Sequence, residues 1–226
     1  GMKILITSFG KFGRYPANSS EIVARTLTQR RRLGSCWVVC ETFPADIPSY
    51  DRGRAVLDLA IQEEADAIVM LGMASDRHGL SIEPRAVNRV FHPIYCQPEI
   101  NGTPVDKNLE LGHELQDDIE WWNPDRFVND ANAAGIRTLW SVDAGGFCCN
   151  HLLFQVLAAK CADPERYRRI PSIFIHLPCT PETLPETKEE FRGRGKITME
   201  ADNLLQGLEI LVRFPSSRHG AVTRNH

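Results

Sequence analysis

No apolar run in this chain approaches the roughly 20 residues that a helix needs to cross a bilayer, and the run Ile4 to Ile6 is too short for a secretory signal. Charge of one sign is not in excess either. The 26 Lys and Arg residues face 29 Asp and Glu, a net charge of −3, which implies no nucleic-acid or membrane partner. The one basic cluster, Arg30, Arg31 and Arg32, reads as a solvated helix end, with a phosphate-binding patch as the rival reading. Seven cysteines occur, at 36, 40, 96, 148, 149, 161 and 179, yet none stands in a CxxC pair, so neither a zinc ribbon nor a dithiol redox motif is expected. Without a secretory signal, reduced thiols in a cytoplasm are the default. The loop Phe9-Gly10-Lys11-Phe12-Gly13 lacks both GxGxxG and the GK[ST] ending that would cradle a phosphate. Internal repeats and linkers are missing as well.

What is there is an ordinary globular composition, 42% hydrophobic and 24% charged over 226 residues, enough for one large domain. Gly1 ahead of Met2 reads as an addition before the natural start. Lys3 to Ser8 is predicted as a buried strand. Asn18, Ser19 and Ser20 are good N-cap residues for a helix with Ile22, Val23 and Leu27 on one face. Trp37 to Phe43 is a second strand. Val56, Leu57, Ala60 and Ile61 mark an amphipathic helix over 49–64, and Ala67 to Leu71 is a third strand. The stretch from Gly72 to Gly79 reads as loop, and Leu80 to Val90 as extended. Residues 91–124 read as irregular, too long for a plain connection, and therefore as a functional excursion, an oligomer contact, or both. The adjacent Trp121 and Trp122 there suit a subunit contact or a lid. Beyond it lie a helix from Phe127 to Ala134 stopped by Gly135, a strand from Arg137 to Val142, and a last core strand from Ser172 to Leu177. A final helix is expected to be capped by Thr198, with Leu204, Leu205, Leu208, Leu211 and Val212 buried. Alternating strands and helices predict a single-domain three-layer α/β/α sandwich around a mainly parallel twisted sheet, over 2–214, with a polar tail over 215–226.

The stretch the chain is organised around is Ser141 to Leu157, SVDAGGFCCNHLLFQVL. Gly145 and Gly146 end an extended run, and Leu152, Leu153, Val156 and Leu157 recur at helical spacing. Cys148 and Cys149 therefore fall in a first helical turn, where unpaired N–H groups and the helix dipole favour a thiolate. Taken alone, the segment is equally well read as two buried cysteines packing as small hydrophobes. In open α/β sheets, sites lie beyond the carboxyl ends of the strands. Phe9 to Gly13, Gly72 to Glu83, Cys149 and His176 are all placed there, so a thiol, an imidazole and a carboxylate share one rim. That set makes a nucleophile, a general base and its orienting group. Each has a plainer reading: His176 as a hydrogen-bonded strand-end histidine, Glu83 as a surface charge paired with Arg85, Phe9 and Phe12 as core aromatics. A metal on Cys148, Cys149 and His151 is poor geometry, because adjacent helical residues cannot point into one site.

Four ordered boxes are similar to the pyroglutamyl peptidase I, or pyrrolidone-carboxylate peptidase, family of cysteine peptidases. They are Ser8-Phe9-Gly10-Lys11-Phe12-Gly13, Leu71-Gly72 with Glu83 and Asn88, Ser141 to Asn150 ending Cys148-Cys149-Asn150, and Phe174-Ile175-His176-Leu177-Pro178. The resemblance runs from Lys3 to about Pro181 and implies Cys149 as nucleophile, His176 as base and acid, and Glu83 as its carboxylate partner. It implies that Phe9 and Phe12 clamp a flat pyrrolidone ring in an apolar slot, with the oxyanion held by backbone N–H groups around Gly145 and Gly146. It further implies a peptide substrate with a blocked N-terminus, no metal or other cofactor, a cytoplasmic setting and a homo-oligomer, commonly a tetramer. This chain departs from the family pattern in four places: Met73, where many members have Gln; 89–95, where an Arg-Ile-Pro-Asp-Asn stretch is replaced and Ile94 takes the apolar pocket role; 97–124; and Cys148, expected to line the site. Two alternatives stay open. One is the same fold acting on another cyclic or small N-acyl group. The other is a nucleoside-phosphorylase-like small-molecule binding protein using Arg77 and Arg85 as anion contacts.

Overall fold

The computed structural model describes residues 1–45, 49, 51–88, 99–100, 103–104, 114–116, 119–185 and 198–213. The first strand, β1 (Lys3–Phe9), is buried from Ile4 onward because it is covered on both faces, as interior parallel strands are. Asn18 then caps α1 (Ser19–Arg30), its side chain accepting from the Ser20 N–H at 3.0 Å. Arg31 closes that helix in the left-handed conformation at φ 58°. A tight hairpin follows, of β2 (Arg32–Leu33) and β3 (Cys36–Phe43), antiparallel to each other. Arg30, Arg31 and Arg32 are all exposed. The next helix, α2, spans Arg52–Gln62, shorter than 49–64, and its Ile61 faces solvent at 40% exposure while Val56, Leu57 and Ala60 are buried.

Next, β4 (Ala67–Met73) is buried throughout, so Gly72 and Met73 belong to a strand and the loop is only 74–79. The run expected from Leu80 to Val90 is two strands, β5 (Leu80–Glu83) and β6 (Arg85–Val87). Pro84 separates them: it has no N–H to donate, and the chain leaves the main sheet there. Within 91–124 the described residues include β7 (Glu99–Ile100) paired with β8 (Thr103–Pro104), and β9 (Glu114–Gln116) paired with β6. The excursion is thus partly stranded. A 3₁₀ turn, Glu120–Trp122, puts Trp122 wholly inside the core, with Trp121 half-buried and packed edge-on against it at 4.8 Å. Trp122 is therefore core rather than lid.

Pro124 at the first helical position opens α3 (Pro124–Ala133), and Gly135 at φ 81° ends it. The remaining elements are β10 (Thr138–Trp140), α4 (Cys148–Ala162), α5 (Pro164–Tyr167), β11 (Ser172–Leu177), a 3₁₀ turn at Pro181–Thr183, and α6 (Ala201–Leu211). The cap residue of α6 is Glu200, two positions beyond Thr198.

The main sheet has seven strands in the order β10-β5-β11-β4-β1-β3-β2. Strands β11, β4, β1 and β3 are parallel, β5 is antiparallel to β11, and β10 runs parallel to β5. Strand alternation divides the core in two. Ile4, Ile6, Val69, Leu71, Leu80, Ile82, Ile173 and Ile175 face a layer holding α1, α3 and α6, in which Val23, Leu27, Phe127, Leu204 and Leu208 are buried. Leu5, Ile68, Met70 and Phe174 face the opposite layer of α2, α4 and α5, with Val56, Leu57, Leu152, Leu153, Val156 and Tyr167. The result is the expected α/β/α sandwich on a mainly parallel sheet. Among the described residues no helix is long and apolar enough to cross a membrane.

Candidate active site

The same alternation decides which side chains can meet. With Leu80 and Ile82 on the α3/α6 face, Ser81 and Glu83 lie on the α4 face; with Ile173 and Ile175 on the former, Phe174 and His176 lie on the latter. In the antiparallel register His176 pairs with Ser81 and Phe174 with Glu83, so His176 and Glu83 are diagonal neighbours on one face. Their side chains close that diagonal: His176 Nδ1 donates to Glu83 Oε1 at 2.7 Å, both groups buried. Nδ1 carries the proton because its partner only accepts, which leaves Nε2 as the outward nitrogen. Neighbouring Phe174, two residues back on the same face, flanks the imidazole at 4.9 Å between ring centroids.

Cys149 reaches this pair from above. Gly72 is the register partner of His176 on β4, and a Cβ at Gly72 would collide with Cys149 Sγ and come within 3.2 Å of Phe174 Cζ. The thiol therefore occupies the space that a side chain at 72 would fill, beside the strand position of His176. Glycine is required there by close approach. The route differs from the expected one, in which every group follows a strand onto the same carboxyl rim. Strands β5 and β10 run against β11, so Glu83 and the loop leading to Cys149 arrive from the opposite direction.

That loop is held by four sets of bonds. Ser141 N donates to Ile82 O at 2.9 Å. Arg85 donates through Nε and Nη2 to Val142 O at 3.1 and 2.9 Å. Arg77 Nη2 donates to Asp143 O at 2.6 Å and to Glu83 Oε1 at 2.9 Å. The Gly145 N–H donates to Asp143 Oδ1 at 2.8 Å, and Gly145 sits at φ 90°, where only glycine is unstrained. No side chain caps α4 at Phe147, and the first turn of a helix is the end whose N–H groups and dipole favour an anion. Asn150 anchors this helix start: its Oδ1 accepts from Val87 N at 3.0 Å and its Nδ2 donates to Val87 O at 2.9 Å.

The electrostatics run against a simple thiolate. Burial pushes the Cys149 thiol well above its ordinary value; Cys148 and Glu83 push the same way, while Arg77 and Arg52 pull it down. Ionisation of Cys149 thus calls for a proton acceptor. Arg52 is itself buried, stacked over Phe43 at 5.0 Å and Phe9 at 5.7 Å. Desolvation lowers its affinity for its proton, with Cys148 opposing. Buried His151, one residue past Asn150, is held down to about 4 by burial and by Arg52.

The expected pocket residues are placed as follows. Phe9 is 1% exposed and joins the α2/α4 core with Cys148, against which Phe12 and Cys149 pack part-buried. Phe12 also stacks on Tyr15 at 5.0 Å, in a small cluster with Met73, Cys179 and Leu184. Met73 is buried and its sulfur accepts from Ser19 N at 3.3 Å, which ties β4 to the start of α1. Cys148 is buried and donates to Ala45 O at 2.9 Å, turned into the core more than lining an opening. Ile94 lies outside the described residues. Arg77 and Arg85, the anion contacts of the binding-protein reading, are engaged instead by Glu83 and by loop carbonyls. Gly72 and Asn150 stood inside the boxes read from the sequence and Arg77 was read as an anion contact, but their contacts, like those of Arg52, carried no local signal, since each acts on a chain segment far away in sequence. Among the described residues no group of three or more His, Cys, Asp or Glu is arranged to hold a metal.

A family model described as pyroglutamyl peptidase matches residues 2–214. A pyrrolidone-carboxylate peptidase of Gloeobacter violaceus is 32% identical over 225 residues, covering 98% of this chain and 100% of the relative. One from Streptococcus suis is 26% identical over 215 residues, covering 93% and 91%. Among solved structures, pyroglutamyl peptidase I of Bacillus amyloliquefaciens aligns with a TM-score of 0.72 at 23% identity, over 93% of this chain and 95% of that one. The pyrrolidone carboxyl peptidase of Thermococcus litoralis gives 0.73 at 24%, over 94% and 92%; both show the shared fold. The chain belongs to the pyroglutamyl peptidase family and is a cysteine peptidase.

Proposed function

We propose that this chain removes an N-terminal pyroglutamyl residue from peptides, with Cys149 as nucleophile, His176 as proton carrier and Glu83 as the group that orients the imidazole. The observation that carries it is the assembly on one sheet face of the 2.7 Å His176–Glu83 bond and a thiol seated over Gly72, the register partner of His176. In this reading His176 Nε2 takes the proton of Cys149, and the sulfur attacks the pyroglutamyl carbonyl carbon. The oxyanion is met by N–H groups at the uncapped start of α4, with Gly145 and Gly146 letting the backbone approach. Collapse of the tetrahedral species breaks the C–N bond, and the imidazolium gives its proton to the leaving amine. Water then attacks the thioester with His176 again as base, releasing pyroglutamate and the thiol.

The uncharged lactam suits an apolar slot, for which Phe9, Phe12 and Met73 are the wall in this reading. Residues 2–214 act in this reading as a single peptidase domain, in a cytoplasm that keeps its thiols reduced and as a homo-oligomer, which sedimentation equilibrium tests. The activity itself is tested by turnover of a pyroglutamyl fluorogenic amide. Release of the fluorophore by the parent chain and its loss in Cys149→Ala support the proposal; absence of turnover, or an unchanged rate in Cys149→Ala, sinks it.

A further inference from the structure

Arg77 stands in the loop between β4 and β5, and one of its nitrogens serves two masters. Nη2 donates to Glu83 Oε1 at 2.9 Å and to the Asp143 carbonyl at 2.6 Å. A single guanidinium thus joins the carboxylate that orients His176 to the loop that delivers Cys149. We propose that Arg77 is a positioning residue for the peptidase reaction: it holds the Glu83 carboxylate aimed at His176, and fixes the nucleophile loop relative to that pair. This rests on the reading of Cys149, His176 and Glu83 as one unit.

The argument begins with burial. Glu83 is 0% exposed in its side chain, and a carboxylate taken out of water is costly to ionise unless it is paired. Glu83 Oε2 makes no hydrogen bond among the described residues, so the compensation falls on Oε1, which is shared by His176 and Arg77. While His176 is neutral, Arg77 is the cation at that oxygen. Without it, that oxygen is left to His176 alone among the described residues, and nothing ties the carboxylate to the nucleophile loop. The groups facing the Cys149–His176 pair are Glu83 from β5, Arg77 from the 74–79 loop, Arg52 from α2 and Cys148 from α4. Of the two cations, Arg77 has the larger downward pull on the thiol. Its removal therefore moves the thiol toward retaining its proton at higher pH.

The test uses the rate of Cys149 alkylation by iodoacetamide as a function of pH, measured by peptide mapping, beside kcat and KM on a pyroglutamyl amide. In Arg77→Met the acidic limb of the alkylation profile is expected to rise by about one pH unit, with kcat down about tenfold or more and KM within about twofold. In Arg77→Lys, which keeps the charge, the limb is expected to stay near that of the parent. Should Arg77→Met fail to fold, Arg77→Gln carries the same expectation without the charge. A neutral variant whose limb superimposes on the parent's, or a lysine variant whose limb moves as far as the neutral one's, overturns the proposal. If Cys149 in the parent shows no preferential alkylation over the other cysteines, the triad reading itself has failed. If the parent shows it and the neutral variant leaves it in place, only the role of Arg77 falls.

Discussion

Gly72 is the position where one added carbon has the most direct chemical consequence, because a Cβ there would collide with Cys149 Sγ. Gly72→Ala is expected to lower kcat/KM on a pyroglutamyl amide by about 10²-fold, the scale of an ångström-sized displacement of a reacting group, while the circular dichroism spectrum stays native. Glu83→Gln leaves the volume unchanged but offers His176 Nδ1 a group that can donate. The imidazole then favours the wrong tautomer, and kcat is expected to fall by up to about 10⁴-fold in steady-state assays. His151 makes a different prediction, about stability. Its folded value of about 4 lies below the ordinary 6.5, so the stability it contributes is present above 6.5 and is lost as pH falls toward 4. A difference of about 2.5 units corresponds to about 3 kcal/mol. Melting temperatures measured from pH 7 down to 4 are expected to fall, and His151→Met to flatten that fall. The boxes around Cys149 and His176 were legible in sequence because each keeps its residues contiguous, and Glu83 because it follows Leu71-Gly72 by a short loop with Asn88 five residues beyond. Arg77 was not, since its bond to Asp143 joins residues 66 positions apart and leaves no local pattern.

At the scale of elements, the start of α4 depends on Asn150, whose side-chain amide completes a two-bond ladder with the Val87 backbone. Asn150→Ala removes both bonds and leaves part-buried Val87 groups unmatched, so a loss of about 2 kcal/mol in urea unfolding is expected, together with slower turnover as the nucleophile helix loosens. Gly53 does comparable work where α2 crosses α4, since a Cβ there would strike Gln155 and the backbone of Val156. Helix and strand cores were readable because periodicity reports burial: Val23, Leu27, Leu152 and Leu153 are all buried where the pattern placed them. Ends were less readable. Glu200 rather than Thr198 precedes α6, because a cap is chosen by backbone geometry among several nearby polar residues. Ile61 sits at the margin of its apolar stripe, and the last turn of α2 rotates it to solvent. Pro84 was the signal for dividing Leu80 to Val90, since a strand interior needs the N–H that proline lacks.

For the molecule as a whole, alternation along β1, β4 and β11 assigns their buried apolar side chains to one of two layers, Met73 at the end of β4 excepted. The three-layer fold was therefore legible before any pairing was known. Strand direction was not, because apolar runs look alike whichever way they point, and β5 and β10 reverse without any change of composition. That reversal has a mechanical consequence. The edge pair β10–β5 meets the parallel remainder through three register pairs, Phe174 with Glu83, Ile175 with Ile82 and His176 with Ser81. The proton-relay bond from His176 to Glu83 crosses that same boundary, so the acid and the nucleophile loop ride on one side of a seam while the base rides on the other. Peeling of the edge disconnects the chemistry while β11, β4, β1 and β3 stay paired. In graded urea, loss of turnover is expected at a lower midpoint than loss of far-ultraviolet dichroism. Coincident midpoints would show that the seam and the rest of the sheet give way together.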